Sequence, residues 1–237
     1  MNTDTYFKAL DGYHPAHGGD GRYPGVGRWT RHLDPSRLEA CEYGFHLTKG
    51  PQVLSWLAPT LYIAEPCSEH PPVDAGDKWV TCRVRLVEKL VRWDERTARL
   101  FAADCAESVL LGERASGREP DERSWNAVAV ARRFAIGDAS AADLAAAGDA
   151  ARDAAGDAAR AAAWAATRAA AGDAAGAAAW AAARAAAGAT QYRRLVAYLT
   201  GDPIPEVQAL YGRVREPPPG LPPAPAFVDH SATEGGR

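Results

Sequence analysis

Between Gly148 and Tyr192 the chain repeats every four residues, and few folds can accommodate such a stretch. Positions 148, 152, 156, 160, 164, 168, 172, 176, 180, 184, 188 and 192 carry Gly, Arg, Gly, Arg, Trp, Arg, Gly, Gly, Trp, Arg, Gly and Tyr. The next position is Asp at 149, 153, 157 and 173 and Ala elsewhere through 189. The two that follow are Ala, apart from Thr167, Thr190 and Gln191. Alanine is the best helix former, whereas Gly and Asp each cost most of a kcal/mol in a helix interior, so the repeat reads as helix with weak joints. Gly-Asp pairs at 137–138, 148–149, 156–157 and 172–173 put a helix-stopping residue before a helix-starting one. A four-residue period also drifts about 40° per repeat at 100° per residue. Trp164 and Trp180 would then point about 160° apart on one straight helix. A turn near Gly172-Asp173 lets both face one core, which predicts a hairpin of two Ala-faced helices.

Composition narrows the function classes. A formal net charge of −3 and a pI near 6.1 over 237 residues argue against binding nucleic acid through a general positive field. Cys41, Cys67, Cys82 and Cys105 show no CxxC and no zinc-ribbon spacing, so they read as free thiols. His14, His17 and His32, with Cys41 or His46, read as scattered surface residues, and no metal site is expected. Met1-Asn2-Thr3-Asp4 opens no basic-then-apolar signal, and the Ala tract is too often charged to span a membrane. A cytoplasmic chain without membrane contact is the expectation.

Along residues 1–91 the pattern is that of strands, loops and one short helix. Tyr6 to Leu10 is an apolar run ended by Asp11-Gly12, followed by a glycine-rich loop to Gly27. Cys41 to Thr48 reads as a second strand, and Pro51 at a first turn opens a helix through Leu57. Leu61 to Glu65 is a third strand. In Trp79 to Leu90, Val80, Cys82, Val84 and Leu86 alternate with Thr81, Arg83 and Arg85, which predicts one long strand. The spacing turns helical at Trp93. Asp94 can cap a helix to Leu111 on which Phe101, Cys105, Ser108 and Val109 share a face. Asp104 is a partly buried acid there, suited to pair with an Arg or, failing that, to act as a general base. Glu122 to Ile136 reads as a helix buried on two sides, and Ser140-Ala141-Ala142-Asp143 as a capping box. Thr190 can cap a helix whose Tyr192, Leu195, Val196 and Leu199 face inward, with a further helix at Val207 to Val214 and a polyproline-like tail from Glu216.

Some of these stretches resemble known families. Gly44-Phe45-His46-Leu47-Thr48, a short helix, Leu61-Tyr62-Ile63-Ala64-Glu65-Pro66 and the run from Asp77 to Leu90 resemble the core of ADP-ribosyltransferase folds, especially the small rifampicin-modifying type. Those enzymes open on a strand whose His holds NAD; Lys8 stands at that position here. The resemblance implies an ADP-ribosyltransferase-like sheet, NAD as cofactor and Lys8, Tyr43, His46 and Glu65 as catalytic candidates. The Cys41-Glu42-Tyr43-Gly44-Phe45-His46 run also resembles a small uncharacterised domain of bacterial and phage proteins. Leu100 to Leu110 with the Ala-rich helices, about residues 93–200, resembles the immunity-protein family of bacterial toxin systems and implies a protein partner.

The expected fold class is α+β. It comprises a small mixed α/β domain at 1–91, an all-α Ala-rich helical bundle at 93–215 and a disordered Pro-rich tail at 216–237. Arg152, Arg160, Arg168 and Arg184 recur along the repeat and form either a ladder facing a protein partner or a solvated face paired with nearby Asp. The functional expectation is a non-catalytic, immunity-type or phage/toxin-system accessory protein that needs no cofactor. The alternative is a degenerate NAD-dependent ADP-ribosyltransferase-like enzyme.

Overall fold

The period-2 runs of the first ninety residues form an antiparallel sheet, and the Ala-rich remainder forms helices, the first and last of which pack on it. The computed structural model describes residues 4–19, 21–168 and 173–202, and side chains outside 155–186. The helix expected at Val207 to Val214 and the tail from Glu216 lie outside the described residues. The architecture is α+β. The strands are β1 (Tyr6–Asp11), β2 (His14–Pro15), β3 (Phe45–Lys49), β4 (Thr60–Pro66), β5 (Val73–Asp74), β6 (Trp79–Thr81) and β7 (Val84–Lys89). The helices are α1 (Glu95–Ala115), α2 (Glu122–Ala135), α3 (Ala141–Arg168) and α4 (Asp173–Thr200).

The sheet runs β5-β6-β3-β1-β4-β7, with β2 added to β1 as a hairpin. The run expected as one strand from Trp79 to Leu90 is two strands, broken at Cys82-Arg83, and they pair at opposite sides of the sheet. Four spacings of about 4.8 Å would hold β6 and β7 about 19 Å apart in a flat sheet, yet Thr81 to Val84 reaches at most about 10 Å. The sheet therefore curls until its two sides meet at Cys82-Arg83. The segment before β3 runs along the outer side of β7: Gly27, Thr30 and Leu33 donate N–H groups to the carbonyls of Leu86, Val84 and Cys82 at 2.8, 2.9 and 2.9 Å. Two further expectations need correction. The second strand begins at Phe45 rather than Cys41, because Gly44 turns the chain, and the helix from Pro51 is a 3-10 helix, Gly50–Ser55.

Helix boundaries follow cap chemistry where a cap is present. Asp94 accepts from the Thr97 N–H at 2.7 Å and starts α1, which continues to Ala115, past the expected Leu111. Gly137, with φ of +87°, ends α2; Ser140 and Asp143 then exchange backbone and side-chain bonds of 2.8 and 3.1 Å and open α3. The Gly-Asp pairs at 148–149 and 156–157 do not break α3, since alanine on both sides outweighs one glycine and one Asp. Thr190 likewise lies inside α4 and caps nothing. Residues 169–172 between α3 and α4, on which the turn expected at Gly172-Asp173 rests, lie outside the described residues, as do the side chains of Trp164 and Trp180. No helix among the described residues is long and apolar enough to cross a membrane.

One apolar cluster crosses from sheet to helices. Phe7, Leu61 and Val53 meet Leu90, Trp93 and Phe101, and α4 supplies Tyr192, Leu195 and Leu199, all nearly free of solvent. The four α4 positions read as inward-facing are thus buried or packed on that cluster. Val109 is not; it is 57% exposed on the far side of α1. The other face of the sheet buries Leu10, Tyr23, Leu47, Tyr62, Val84 and Leu86.

Two glycine substitutions should have opposite signs. Gly44 has φ of +144°, and a Cβ there would run into Val80 Cγ1 and lie 3.2 Å from Leu38 Cδ2. Gly44→Ala should cost about 2 kcal/mol or more in urea unfolding. Gly148, inside α3 with open space around it, should accept alanine and gain about 0.5–1 kcal/mol. Equal effects at the two sites would contradict these assignments.

Candidate functional site

The sheet's pleat decides which of the expected site residues can meet. Phe7 is registered with Thr48 and with Ile63, so Thr48, Ile63 and their second neighbours His46 and Glu65 share the side of Phe7. Lys8 takes the other side, with Leu10 and Tyr62. His46 and Glu65 lie two strands apart and four residues out of level, roughly 16 Å between backbones. One ribose cannot be held by Lys8, His46 and Glu65 together.

Each candidate is instead engaged locally. The Lys8 Nζ donates to the His46 carbonyl oxygen at 2.8 Å and sits 4.9 Å from the centre of the Tyr23 ring. Burial pushes its pKa down from 10.5 to about 8. The same burial, then the charges of Lys8 and Lys78, hold the His46 imidazole below its ordinary range, and its Nε2 accepts from the Cys41 N–H at 3.1 Å. Tyr43 lies under Arg37, whose guanidinium carbon is 4.7 Å from the ring centre, and its hydroxyl accepts from the Asp34 N–H at 3.3 Å. Glu65 receives Arg85, through Nη2 and through Nε at 3.1 Å, and Arg85 itself rests on Trp29.

Asp104 pairs with an arginine, the first of its two expected roles. Arg132 Nη2 donates to Oδ1 and the Tyr198 hydroxyl to Oδ2, both at 2.7 Å, while Arg132 also reaches Glu107. Buried Arg194 donates to the Asp104 carbonyl at 2.9 Å and to Ser108 Oγ at 2.6 Å. This network joins α1, α2 and α4, and both Asp104 carboxylate oxygens are occupied. On the repeat, exposed Arg152 pairs with Asp149 one turn away. The side chains of Arg160, Arg168 and Arg184 lie outside the described residues.

Sequence reasoning passed over a groove between α2 and α3. Asn126, Val130 and Arg133 line one wall; Asp143, Ala146, Ala147 and Ala150 line the other, around about 330 Å³. The spacings i, i+4, i+7 and i, i+3, i+4, i+7 are each a single helical stripe and could have marked it. Asp143 is held below the ordinary carboxylate range by its bonds to Ser140, with Arg133 adding a smaller attraction. The floor is small and apolar, and the rim carries one charge of each sign.

No family model, no curated protein and no solved structure matches this chain.

Lys8 makes a pH signature. Between about 8 and 10.5 the unfolded chain holds a proton at Lys8 that the folded chain has released, so the Lys8 contribution to stability rises with pH across that window. Cys82 and Cys105, whose thiols burial pushes up, contribute in the opposite direction. Below that window the folded state carries the full burial penalty at Lys8, on the order of 3 kcal/mol. Lys8→Met should remove that contribution, so that urea midpoints between pH 8 and 10.5 climb less steeply, or fall, relative to the parent. It should also gain about 2 kcal/mol at pH 7, after about 1 kcal/mol is lost with the bond to His46. An unchanged slope would show that Lys8 is not the titrating group.

Proposed function

We propose that this chain is a non-catalytic protein-binding protein, of the immunity type or an accessory to a phage or toxin system, and that it holds its partner between α2 and α3. The observation that carries the reading is the alanine-floored groove at Ala146, Ala147 and Ala150, whose other wall is α2, a helix that a charge network ties to α1 and α4. Small side chains let a partner segment approach closely at Ala146 and Ala150, over the buried Val130 and Ala147. Arg133 and Asp143 on the rim orient such a segment more than they strengthen it. The resemblance of residues 93–200 to the immunity-protein family agrees with this use, as does the internal engagement of Asp104.

On this reading the sheet is a degenerate ADP-ribosyltransferase-like scaffold and the helices are a bundle reused for binding. The placement of Lys8, His46 and Glu65 lends no support to retained ADP-ribosyl transfer.

A photo-crosslinking residue at Ala146, introduced in the native host, should capture one partner protein. Ala146→Trp and Ala150→Trp, which fill the groove, should weaken that complex at least about 10-fold without changing helix content. Trp variants that bind the captured partner as tightly as the parent would remove the groove from the proposal. Calorimetric titration with NAD should give no saturable heat. Saturable binding lost in Lys8→Ala or Glu65→Ala would favour the enzyme instead.

A further inference from the structure

Where the curled sheet closes, three metal-ligating side chains from distant parts of the chain come together. Cys67 directly follows β4, Cys82 sits at the break between β6 and β7, and His32 lies in the segment along the outer side of β7. Their two sulfurs and one ring nitrogen all lie within 4.8 Å of one another, with His32 Nε2 3.8 Å from Cys82 Sγ. His32 belongs to a second such group with Glu69 and His70, and the His32 and His70 ring centres are 6.0 Å apart. Cys67 and Cys82 are buried, while His32, Glu69 and His70 open to solvent, so the cluster has a protein side and an entry side.

We propose that Cys67, Cys82, His32 and His70 bind one zinc(II) ion. With Zn–S near 2.3 Å and Zn–N near 2.1 Å, tetrahedral ligands stand about 3.5–3.8 Å apart and two bound imidazole centres about 5 Å apart. Within the His32, Cys67 and Cys82 group, and between the His32 and His70 rings, the observed distances exceed these by roughly 1 Å, which side-chain rotation can close. Exposed His70 reaches the sulfurs by swinging inward about the His32 that the two groups share. The backbone already holds the ligands in place: the Cys67 N–H donates to the Arg83 carbonyl and the Leu33 N–H to the Cys82 carbonyl, both at 2.9 Å. Two soft thiolates and two imidazoles select zinc over magnesium or calcium, and the thiolate charges balance the ion. Binding sends the two thiol protons to solvent. Glu69, between Cys67 and His70, places a carboxylate beside the imidazoles, a common way of orienting such ligands. The Cys67-Ser68-Glu69-His70 spacing is itself a short ligand pair, hidden in the sequence because its partners are His32 and Cys82. Zinc at this point would clamp three segments across the seam of the sheet.

The test is cobalt(II) titration of the full chain after chelator treatment, followed by zinc(II) displacement. One equivalent of cobalt should bring a thiolate-to-metal band in the near ultraviolet and the intense red-region bands of tetrahedral cobalt. Zinc should erase both and raise the melting temperature. Cys67→Ser should weaken binding by roughly 100-fold or more and cut the thiolate band to about half, since Cys82 remains, and His70→Asn, at an exposed position, should weaken it by roughly 10-fold or more. Cys41→Ser, exposed and outside the cluster, should bind as the parent does. If Cys67→Ser does not fold, His70→Asn and His32→Asn decide. Cobalt bound without a thiolate band, unchanged affinity in the histidine variants, or no binding at micromolar protein would each overturn the site.

Discussion

The packing of Phe7 against α4 is the contact on which the rest of the molecule depends. Phe7 and Leu61 present one face of a thin sheet, and Leu195, Leu199 and Tyr192 are the α4 side chains that cover it. Full burial of side chains of this size contributes about 1.5–3 kcal/mol each, so this seam outweighs any single polar contact in the chain. Trp93 and Phe101 extend the seam into α1, with ring centres 5.9 Å apart, and the Trp93 indole donates to the Ala58 carbonyl at 2.8 Å. The place where the sequence passes from strand to helical spacing is therefore inside a shared core.

A second layer of order rests on that seam. Leu195 is fully buried toward the sheet, and its neighbour Arg194 reaches Asp104 and Ser108 on α1. A buried guanidinium is expensive without hydrogen-bonding partners, and leaving either partner of such a pair alone costs more than the pair yields. The network therefore fixes the rotation of α4 more than it adds stability. Arg132 brings α2 into the same arrangement, and α2 sets the groove wall of Asn126, Val130 and Arg133.

What was legible in the sequence was what is decided locally. Asp94, Gly137 and the Ser140/Asp143 pair marked helix ends because capping is settled within a few residues. Tyr6–Leu10 and Leu61–Glu65 were visible because one face of each is buried. The break at Cys82-Arg83 was not, since alternation continues unchanged when a strand changes partners. Thr190 misled for the opposite reason: a good cap residue is silent when helix formers, the alanines before it and Gln191 with the Arg193-Arg194-Leu195 run after it, continue the helix on both sides. The relative placement of the site candidates was hidden, because Lys8 and His46 face opposite sides by virtue of a register that no local pattern states. His32, Cys67 and Cys82 meet only because the sheet curls, which the sequence does not announce.

The Phe7 seam also governs when the chain can acquire its structure. Phe7 and Leu195 are 188 residues apart in sequence, whereas α1, α2 and the start of α3 are close neighbours that form contacts early. During synthesis the first strands must wait, one apolar face only partly covered by Trp93 and Phe101, until α4 has left the ribosome. A chain halted anywhere before Leu195 would hold a nearly complete sheet that Trp93 and Phe101 cover only in part, a state in which sheets find each other and aggregate.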